Sequence, residues 1–266
     1  MMTIISLLLL ASLLPHLTST VDVGIVNGWE AKPHSRPYMV SLQLNGRHIC
    51  GGSLISNQWV LTAAHCWKGN VILTVVVGAH DLSNSKSLDR ISVKKYIPHP
   101  DYKSLRNDIM LLMVTNSAHI TCSDNIRSGN STKKVRLNKN VGLISLPKYS
   151  KDINVDTLCS VAGWGRLWIN GLLSNRLMEA NVTILNHEEC KRKWGSSYSA
   201  LKMICVHGGG GSCKGDSGGP LVCGDTAAGV TSFGYSKLCN SAERPNVYTK
   251  ISAYLPWIHQ IIRNVK

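Results

Sequence analysis

The part of the sequence best suited to chemistry is a serine held among glycines, in the run Gly215–Pro220 that reads GDSGGP. Small neighbours allow a substrate to approach the Ser217 hydroxyl closely. They also leave backbone N–H groups free to point at an oxyanion that develops on the substrate. The run therefore predicts a nucleophilic serine.

The order of candidate residues along the chain separates two kinds of serine hydrolase. The spacing Gly215–Gly219 also matches the G-x-S-x-G elbow of α/β-hydrolases, whose Asp and His follow the serine. Here the histidine after Ser217 is His259, on a predicted tail helix, and the alternation of strands and helices that the elbow needs is missing. Upstream, LTAAHC places His65 beside a cysteine, and NDIMLL places Asp108 at the head of an apolar strand. The order His, Asp, Ser disfavours the elbow.

Two further motifs join these three, IVNG at 25–28 and VAGWG at 161–165. Together the motifs resemble those of trypsin/chymotrypsin-fold serine proteases, in which the order is also His, Asp, Ser. The resemblance runs from Ile25 to the C-terminus, except for a segment at 114–134. It implies cleavage of protein or peptide substrates through an acyl-enzyme, without a cofactor or a metal.

The resemblance also assigns a role to each site residue. Ser217 attacks the scissile carbonyl, His65 acts as general base and then as general acid, and Asp108 orients the imidazole. The backbone amides of Gly215 and Ser217 form the oxyanion hole.

Many short β-rich runs divided by turn signals predict an all-β fold. Tyr38–Leu44, before the turn pair Asn45-Gly46, is one such run. Only the C-terminus reads clearly as α-helix, at 253–264, with Ser252 as the expected cap and one apolar stripe along it.

The resemblance makes this fold two six-stranded antiparallel β-barrels within a protease domain of 25–266. The N-terminal barrel is expected at about 25–137 and the C-terminal barrel at about 138–252. Segment 114–134 is rich in Ser, Thr, Asn and Lys, so it reads as a long inserted loop in the N-terminal barrel.

The N-terminus predicts export. Ile4–Leu14 is an apolar run of a length that suits a secretory signal peptide at 1–20 and is too short to span a bilayer. Nine cysteines fit disulfides in an exported protein. No later run is long and apolar enough for a membrane span, so we expect a secreted or vesicle-stored protein.

The residues before Ile25 predict how the protein is activated. The resemblance implies a zymogen, in which the new α-amino group of Ile25 pairs with Asp216. The preceding residues, Val23-Gly24, include no Arg or Lys, which disfavours activation by a tryptic enzyme. A propeptide of 21–24 is two dipeptides, so we hypothesise that a dipeptidyl peptidase removes it.

The chain is strongly basic. Its formal net charge is +14, and because residues 1–24 hold one Asp and no Lys or Arg, their removal raises it to +15. Such a surplus predicts a polyanionic partner, with a heparin-like proteoglycan favoured and no specific nucleic acid expected. A solvated surface that only keeps the protein soluble is the alternative for each basic cluster. The clusters are Lys94-Lys95, Lys133-Lys134-Arg136 and Lys191-Arg192-Lys193.

The resemblance also implies a disulfide pattern, which spacing alone leaves open. Cys122 has no partner in this pattern, so it is either a free thiol or the site of a disulfide-linked dimer. Two sequons make Asn130 and Asn181 candidate glycosylation sites. The implied pairs are Cys50–Cys66, Cys159–Cys223, Cys190–Cys205 and Cys213–Cys239.

The strings PHSRPYMVSL, VKKYIPHPDY and GVTSFG narrow the resemblance to granzymes, nearer granzymes A and K than granzyme B. Mast-cell proteases share several of these strings. The resemblance implies storage in cytoplasmic secretory granules before secretion.

Specificity is expected to depart from that of granzymes A and K. By the resemblance, aligned on Ser217, Gly211 stands at the pocket base where tryptic members carry Asp. It likewise implies that Gly234 keeps the pocket mouth open and that Asn246 replaces a small residue on the inner wall. A neutral pocket disfavours an unpaired Arg or Lys, so we expect a large uncharged residue before the scissile bond. The alternative is that Glu243, in the adjoining loop, reaches into the pocket and makes it negatively charged. Ser232-Phe233-Gly234 is the expected edge strand for the substrate backbone.

Two other functions remain open from the sequence. One is a basic binding protein on a protease scaffold, which acts on proteoglycans or microbial surfaces with little or no catalysis. The other is a digestive chymotrypsin-like enzyme, which the non-tryptic activation site and the basic surface disfavour.

Overall fold

The computed structural model describes residues 25–84, 88–115, 134–149 and 152–265. The predicted signal peptide and propeptide, Cys122 and Asn130 lie outside these ranges. The strands are β1 (Trp29–Glu30), β2 (Met39–Leu44), β3 (Arg47–Ser56), β4 (Trp59–Thr62), β5 (Thr74–Val77), β6 (Asp89–Pro98), β7 (Met110–Thr115), β8 (Leu158–Gly163), β9 (Met178–Ile184), β10 (Met203–His207), β11 (Pro220–Cys223), β12 (Thr226–Phe233) and β13 (Asn246–Lys250). The helices are α1 (His187–Trp194) and α2 (Leu255–Asn264).

The first barrel closes in the strand order β2-β3-β4-β7-β6-β5. The ring is completed where β2 pairs with β5, for example at Val40 and Val77. β2 and β3 meet through Asn45 and Gly46, whose φ angles are +51° and +77°. Positive φ at both central residues is the backbone that an Asn-Gly hairpin favours. The predicted turn is confirmed.

The second barrel closes in the order β8-β9-β10-β13-β12-β11, because β11 also pairs with β8. The short strand β1 adds to it through β9, where Trp29 lies opposite Glu179. All strand pairs in both barrels are antiparallel. The prediction of an all-β fold with two six-stranded barrels and a C-terminal helix is confirmed.

The two barrels share apolar packing. Val222, Ala227 and Val230 of β11 and β12 lie in the same buried cluster as the core of the first barrel. Ile258 of α2 joins that cluster, although α2 follows the last strand of the second barrel. The tail helix therefore packs back on the first barrel and helps to hold the two barrels together.

The tail helix begins two residues later than predicted. The first two residues of the predicted helix belong instead to a 3₁₀ turn, Ile251–Tyr254, and the predicted cap Ser252 lies inside that turn. Tyr254 is the residue before the helix, without a side-chain cap, and Pro256 sits in the first turn, where its missing N–H costs no hydrogen bond. The Ser252 cap was therefore wrong.

Helix α1 was not predicted from the sequence. Asn186 caps it by accepting from the Glu188 amide, and Gly195 with φ +58° ends it. Cys190 is its one buried residue, so it carries no apolar stripe to read. Similarly, Val114 was assigned to the inserted loop but is a fully buried residue of β7.

The core predicts a clear stability contrast. Leu111 on β7 is 0% exposed, whereas Leu201 is 80% exposed. We expect Leu111→Ala to lower the free energy of unfolding by about 3 kcal/mol, because it removes packed methyl groups and leaves a cavity. Leu201→Ala is the control and should change it by less than about 0.5 kcal/mol. Denaturant unfolding of both variants measures this, and equal effects would contradict the assigned core.

Candidate active site

His65 and Asp108 are brought together at one end of the first barrel. His65 lies in the 3₁₀ turn after β4, and Asp108 lies two residues before β7. The His65 Nδ1 atom is 2.7 Å from Asp108 Oδ2, and the His65 amide donates to Asp108 Oδ1 at 2.9 Å. With Nδ1–H donating to the carboxylate, Nε2 keeps the lone pair that a general base needs.

The second barrel also holds Asp108. Ser232 Oγ, on β12, donates to Asp108 Oδ2 at 2.5 Å, and Thr249 Oγ1, on β13, donates to the Asp108 carbonyl at 2.8 Å. The carboxylate is 1% exposed, and such burial is sustained because each oxygen accepts hydrogen bonds. Hydrogen-bond donors from both barrels thus fix the position of one carboxylate.

Ser217 comes from the second barrel and sits against the first. Its carbonyl accepts from the Gly51 amide at 2.8 Å and lies 3.7 Å from Cys66 Sγ, next to His65. A side chain at Gly218, where φ is +82°, would collide with Thr62 of β4. This glycine therefore permits the close approach that carries Ser217 to the histidine's side of the barrel interface.

Two backbone amides, one of Ser217 itself and one beside it, have no hydrogen-bond acceptor among the described residues. In the described part of the chain, the N–H groups of Gly215 and Ser217 donate to no protein acceptor, whereas those of Asp216, Gly218 and Gly219 each have one. Gly215 has φ +102°, a backbone conformation that favours glycine. Unpaired amides next to a serine are suited to an oxyanion.

His48 supports this loop, and it was not singled out from the sequence. Its Nδ1 lies 2.8 Å from Ser41 Oγ, and its Nε2 lies 2.9 Å from the Gly215 carbonyl. Because a carbonyl accepts only, Nε2 carries the proton and Nδ1 accepts from the serine. Burial lowers the pKa of His48 to about 4, so the ring is neutral at physiological pH. The Gly215 peptide is held in place by this ring.

Asp216 is buried beneath the same loop. Its Oδ1 accepts from the Gly165 amide and its Oδ2 from the Cys213 amide, each at 2.8 Å. Side chains at Gly163 or Gly165 would collide with the carboxylate, which explains the small residues of the VAGWG run. In the ranges that the structure describes, no cation pairs with it, and burial raises the pKa of Asp216 to about 7. Ile25 is also fully buried.

Two of the predicted specificity residues, Gly234 and Asn246, line a cavity of about 210 Å³ together with Ser217, whereas Gly211 is not in its lining and lies behind Asn246. Asn246 Nδ2 donates to the Ser212 carbonyl at 2.7 Å. The carboxamide lies between the two glycines. A Cβ added at Gly211 would be 3.2 Å from Asn246 Oδ1, and one added at Gly234 would be 3.2 Å from Asn246 Nδ2. A neutral amide therefore stands where these three residues converge.

The predicted substrate strand is the end of β12 together with Gly234, the residue after it. The last β11 partner of β12 lies at Val230, whereas Phe233 still pairs with Val247 of β13. Ser232-Phe233-Gly234 thus runs past the end of β11, beside the cavity. No strand of the described residues pairs with its other side, so a substrate backbone has an edge to which it can add.

All four implied disulfides are present, and none of the described residues offers a thiolate for a metal. The sulfurs of Cys50 and Cys66 lie close to His65 but are bonded to each other. The bonds are Cys50–Cys66, Cys159–Cys223, Cys190–Cys205 and Cys213–Cys239.

Several predicted surface sites are exposed in the structure. Asn181 is exposed on β9, which leaves its sequon accessible. Lys94 and Lys95 are exposed on β6, and so are Lys191 and Arg192 of α1. No helix of the described residues is long and apolar enough to cross a membrane.

Comparisons with known proteins agree with this geometry. A family model described as Trypsin matches residues 25–258. Duodenase-1 of Bos taurus is 39% identical over 270 residues, which cover 98% of each chain. Cathepsin G of Homo sapiens is 38% identical and covers 98% of this chain and 95% of its own, and Granzyme B(G,H) of Mus musculus is 38% identical with coverages of 97% and 98%.

A solved structure shows the same architecture. Neuropsin, described as a serine protease expressed in the limbic system of mouse brain, superposes with a TM-score of 0.77 at 33% identity. The match covers 90% of this chain and 100% of that one. The chain belongs to the trypsin family of serine proteases and is a serine-type endopeptidase.

Proposed function

We propose that the protein is a secreted, granule-stored endopeptidase of the granzyme-like branch, with Ser217, His65 and Asp108 as its catalytic residues. The observation that carries the proposal is the pair of amides, those of Gly215 and Ser217, that have no acceptor among the described residues. They lie at a serine whose carbonyl contacts Cys66, the residue after a histidine that a buried carboxylate holds. Each part of acyl transfer has a group in place: nucleophile, base, orienting acid and oxyanion donors.

Formation of the acyl-enzyme proceeds by two proton transfers. His65 Nε2 takes the proton of Ser217 Oγ as that oxygen bonds to the scissile carbonyl carbon. The carbonyl oxygen becomes an oxyanion held by the two amides, each worth roughly 3 kcal/mol of transition-state stabilisation. The imidazolium, stabilised by Asp108, then protonates the leaving amine as the C–N bond breaks. Water then attacks the ester carbonyl of the acyl-enzyme while His65 takes its proton. His65 returns a proton to Ser217 Oγ as the ester bond breaks.

Turnover of a peptide library by the chain starting at Ile25 tests the assignment. We expect cleavage after Met, Leu or aromatic residues, and a loss of at least 10³-fold in kcat for Ser217→Ala, since the nucleophile is gone. A correctly folded parent that cleaves nothing would favour the alternative of a basic proteoglycan- or microbe-binding protein on a protease scaffold.

Activation is proposed to depend on the free amino group of Ile25. Asp216 is a buried carboxylate with two amide donors and no cation among the described residues, and Ile25 is buried in the same barrel. Removal of 21–24 by a dipeptidyl peptidase supplies an ammonium group at Ile25, and a pairing with Asp216 relieves the cost of the buried charge. An activated enzyme that begins at another residue would contradict this route.

The uncleaved chain should therefore have a pH-dependent stability that Asp216 controls. Because the folded-state pKa of Asp216 is about 7, above its ordinary value of 3.8, the free energy of unfolding falls as pH rises between these values. Relative to the parent, uncleaved Asp216→Asn should gain up to about 4 kcal/mol between pH 3 and pH 8, at 1.36 kcal/mol per pKa unit. Urea unfolding at the two pH values measures this.

After cleavage, Asp216→Asn should be harmful, whereas in the uncleaved chain it stabilises the fold at high pH. In the chain that starts at Ile25, Asp216→Asn leaves the buried ammonium group without its partner, so activity should be largely lost. A stability difference that does not change with pH would mean that a cation already pairs with Asp216 before cleavage.

The pocket is proposed to prefer a large uncharged residue. Asn246 presents a neutral amide between Gly211 and Gly234, so a substrate Arg or Lys would be buried without a counter-charge. Ser232-Phe233-Gly234 pairs with the substrate backbone leading to this pocket. Glu243 remains the alternative source of negative charge.

A single charge should change this preference. We expect Asn246→Asp to raise kcat/KM after Lys or Arg by at least tenfold, because the carboxylate supplies the missing counter-ion. Asn246→Gly is the matched control, since it enlarges the pocket but keeps it neutral, and it should not gain Lys or Arg cleavage. A parent that already prefers Lys or Arg would overturn the neutral pocket.

The remaining proposals concern location and partners. Nearness to granzymes A and K is supported by the sequence strings and the four disulfides. The basic surface supports a heparin-like proteoglycan partner, the exposed Asn181 supports glycosylation, and Cys122 supplies a thiol for a disulfide-linked dimer. Asn130 is the second glycosylation candidate.

A further inference from the structure

A cavity of about 670 Å³ opens on the second barrel, apart from the specificity pocket. It lies between α1, the turn that follows α1 and the two residues before Asp108. We name it the α1 cavity. Its lining residues are Arg106, Asn107, His187, Glu188, Lys191, Ser196, Ser197, Tyr198, Ser199, Ala200, Lys202 and Met203.

The α1 cavity is rich in cations that lack counter-ions. Arg106, Lys191 and Lys202 all line it, and within the described ranges none of them lies within 4 Å of a carboxylate oxygen. Lys202 Nζ instead donates to the Asn107 side-chain oxygen at 2.8 Å. The one acid in the lining is Glu188, so the lining has an excess of positive charge. Cations gathered around a concavity attract anionic groups.

The neutral groups of the lining favour a sugar over an acidic peptide. Ser196, Ser197 and Ser199 supply hydroxyls that pair with sugar hydroxyls or sulfate oxygens. An extended peptide gains affinity by adding to a free strand edge. The lining instead comes from a helix and turns, and Met203, where β10 begins, already pairs with Thr249 of β13.

We propose that the α1 cavity binds a sulfated oligosaccharide of a few sugar units. Its volume lies in the range of about 300–1,000 Å³ that holds small ligands. Arg106 and Lys191 bind the sulfate esters, and the serines bind the ring hydroxyls. The proposal rests on the proposed polyanionic partner and gives that partner one defined site, whereas the basic clusters alone give only a diffuse surface.

Calorimetric titration with a heparin-derived tetrasaccharide tests the site on the full secreted chain. We expect Arg106→Gln with Lys191→Gln to weaken binding at least tenfold in 0.15 M salt. Arg192→Gln with Arg263→Gln is the matched control, because both residues are exposed, both lie outside the cavity and the net charge changes equally. The control should weaken binding less than threefold. Near-ultraviolet circular dichroism and thermal midpoints confirm that both variants are folded.

Three ligands complete the test, and each has a deciding outcome. Equal binding of the desulfated tetrasaccharide would exclude sulfate recognition. Competition by inorganic sulfate at the same concentration as the tetrasaccharide would mean that a free anion, not a sulfated sugar, is the ligand. Tighter binding of an acidic peptide of equal charge would replace the sugar by a peptide.

The outcomes also separate this proposal from the functions on which it rests. Equal weakening in the two double variants would show diffuse attraction and overturn the site, while heparin binding as such would stand. No binding of the tetrasaccharide or of full-length heparin would remove the polyanionic partner itself. Neither result depends on peptide cleavage, so the protease assignment is tested separately.

Discussion

The structure depends on the hydrogen bonds around one buried carboxylate, that of Asp108. It receives the imidazole and amide of His65 from its own barrel and the hydroxyl of Ser232 from the other. A charge at 1% exposure is tolerated because these donors replace the water it has lost. If the barrels separated, the carboxylate would lose the Ser232 donor, and Ser217 would lose its contacts with Gly51 and Cys66 of the barrel that carries His65. Barrel docking and the geometry of the site are therefore one constraint.

The loop around Ser217 is also held by hydrogen bonds and close packing, but from a different set of residues. Gly218 lets the loop approach β4, Gly215 adopts a positive φ that favours glycine, and His48 donates a hydrogen bond to the Gly215 carbonyl. Asp216 anchors the underside through the amides of Gly165 and Cys213. Among the described residues, the loop thus leaves the amides of Gly215 and Ser217 unpaired, while those of Asp216, Gly218 and Gly219 each have an acceptor. Such a concentration of unpaired donors marks a place where binding energy is available to a ligand.

Local patterns predicted much of this. The runs around His65, Asp108 and Ser217, the Asn45-Gly46 turn and the short strands can be read from neighbouring residues, and the four disulfides followed from the family resemblance. His48 was missed because its partner, Gly215, is 167 residues away, and nothing in its own run distinguishes it. Helix α1 was missed because a polar helix with one buried residue has no apolar period.

The orientation of the Asn246 carboxamide was also beyond the sequence. Its direction is set by the Ser212 carbonyl, which accepts from its Nδ2 atom, and that contact exists only after β13 has packed beside the 211–217 loop. The residue type predicted a neutral pocket, but not that the amide would lie across the space between the two glycines. The sequence gives the type of a side chain directly, whereas its rotamer is set by contacts that form only in the folded barrel.

The four described disulfides each lie within one barrel: one in the first, and three in the second beyond residue 158. The covalent link from β7 to β8 is thus not reinforced by any disulfide of the described residues. A protease that cut this link would leave a two-piece molecule, held by apolar packing and by α2 lying on the first barrel. Such a nicked form would keep its shape in buffer, yet it would fall into two fragments in denaturant without any reducing agent.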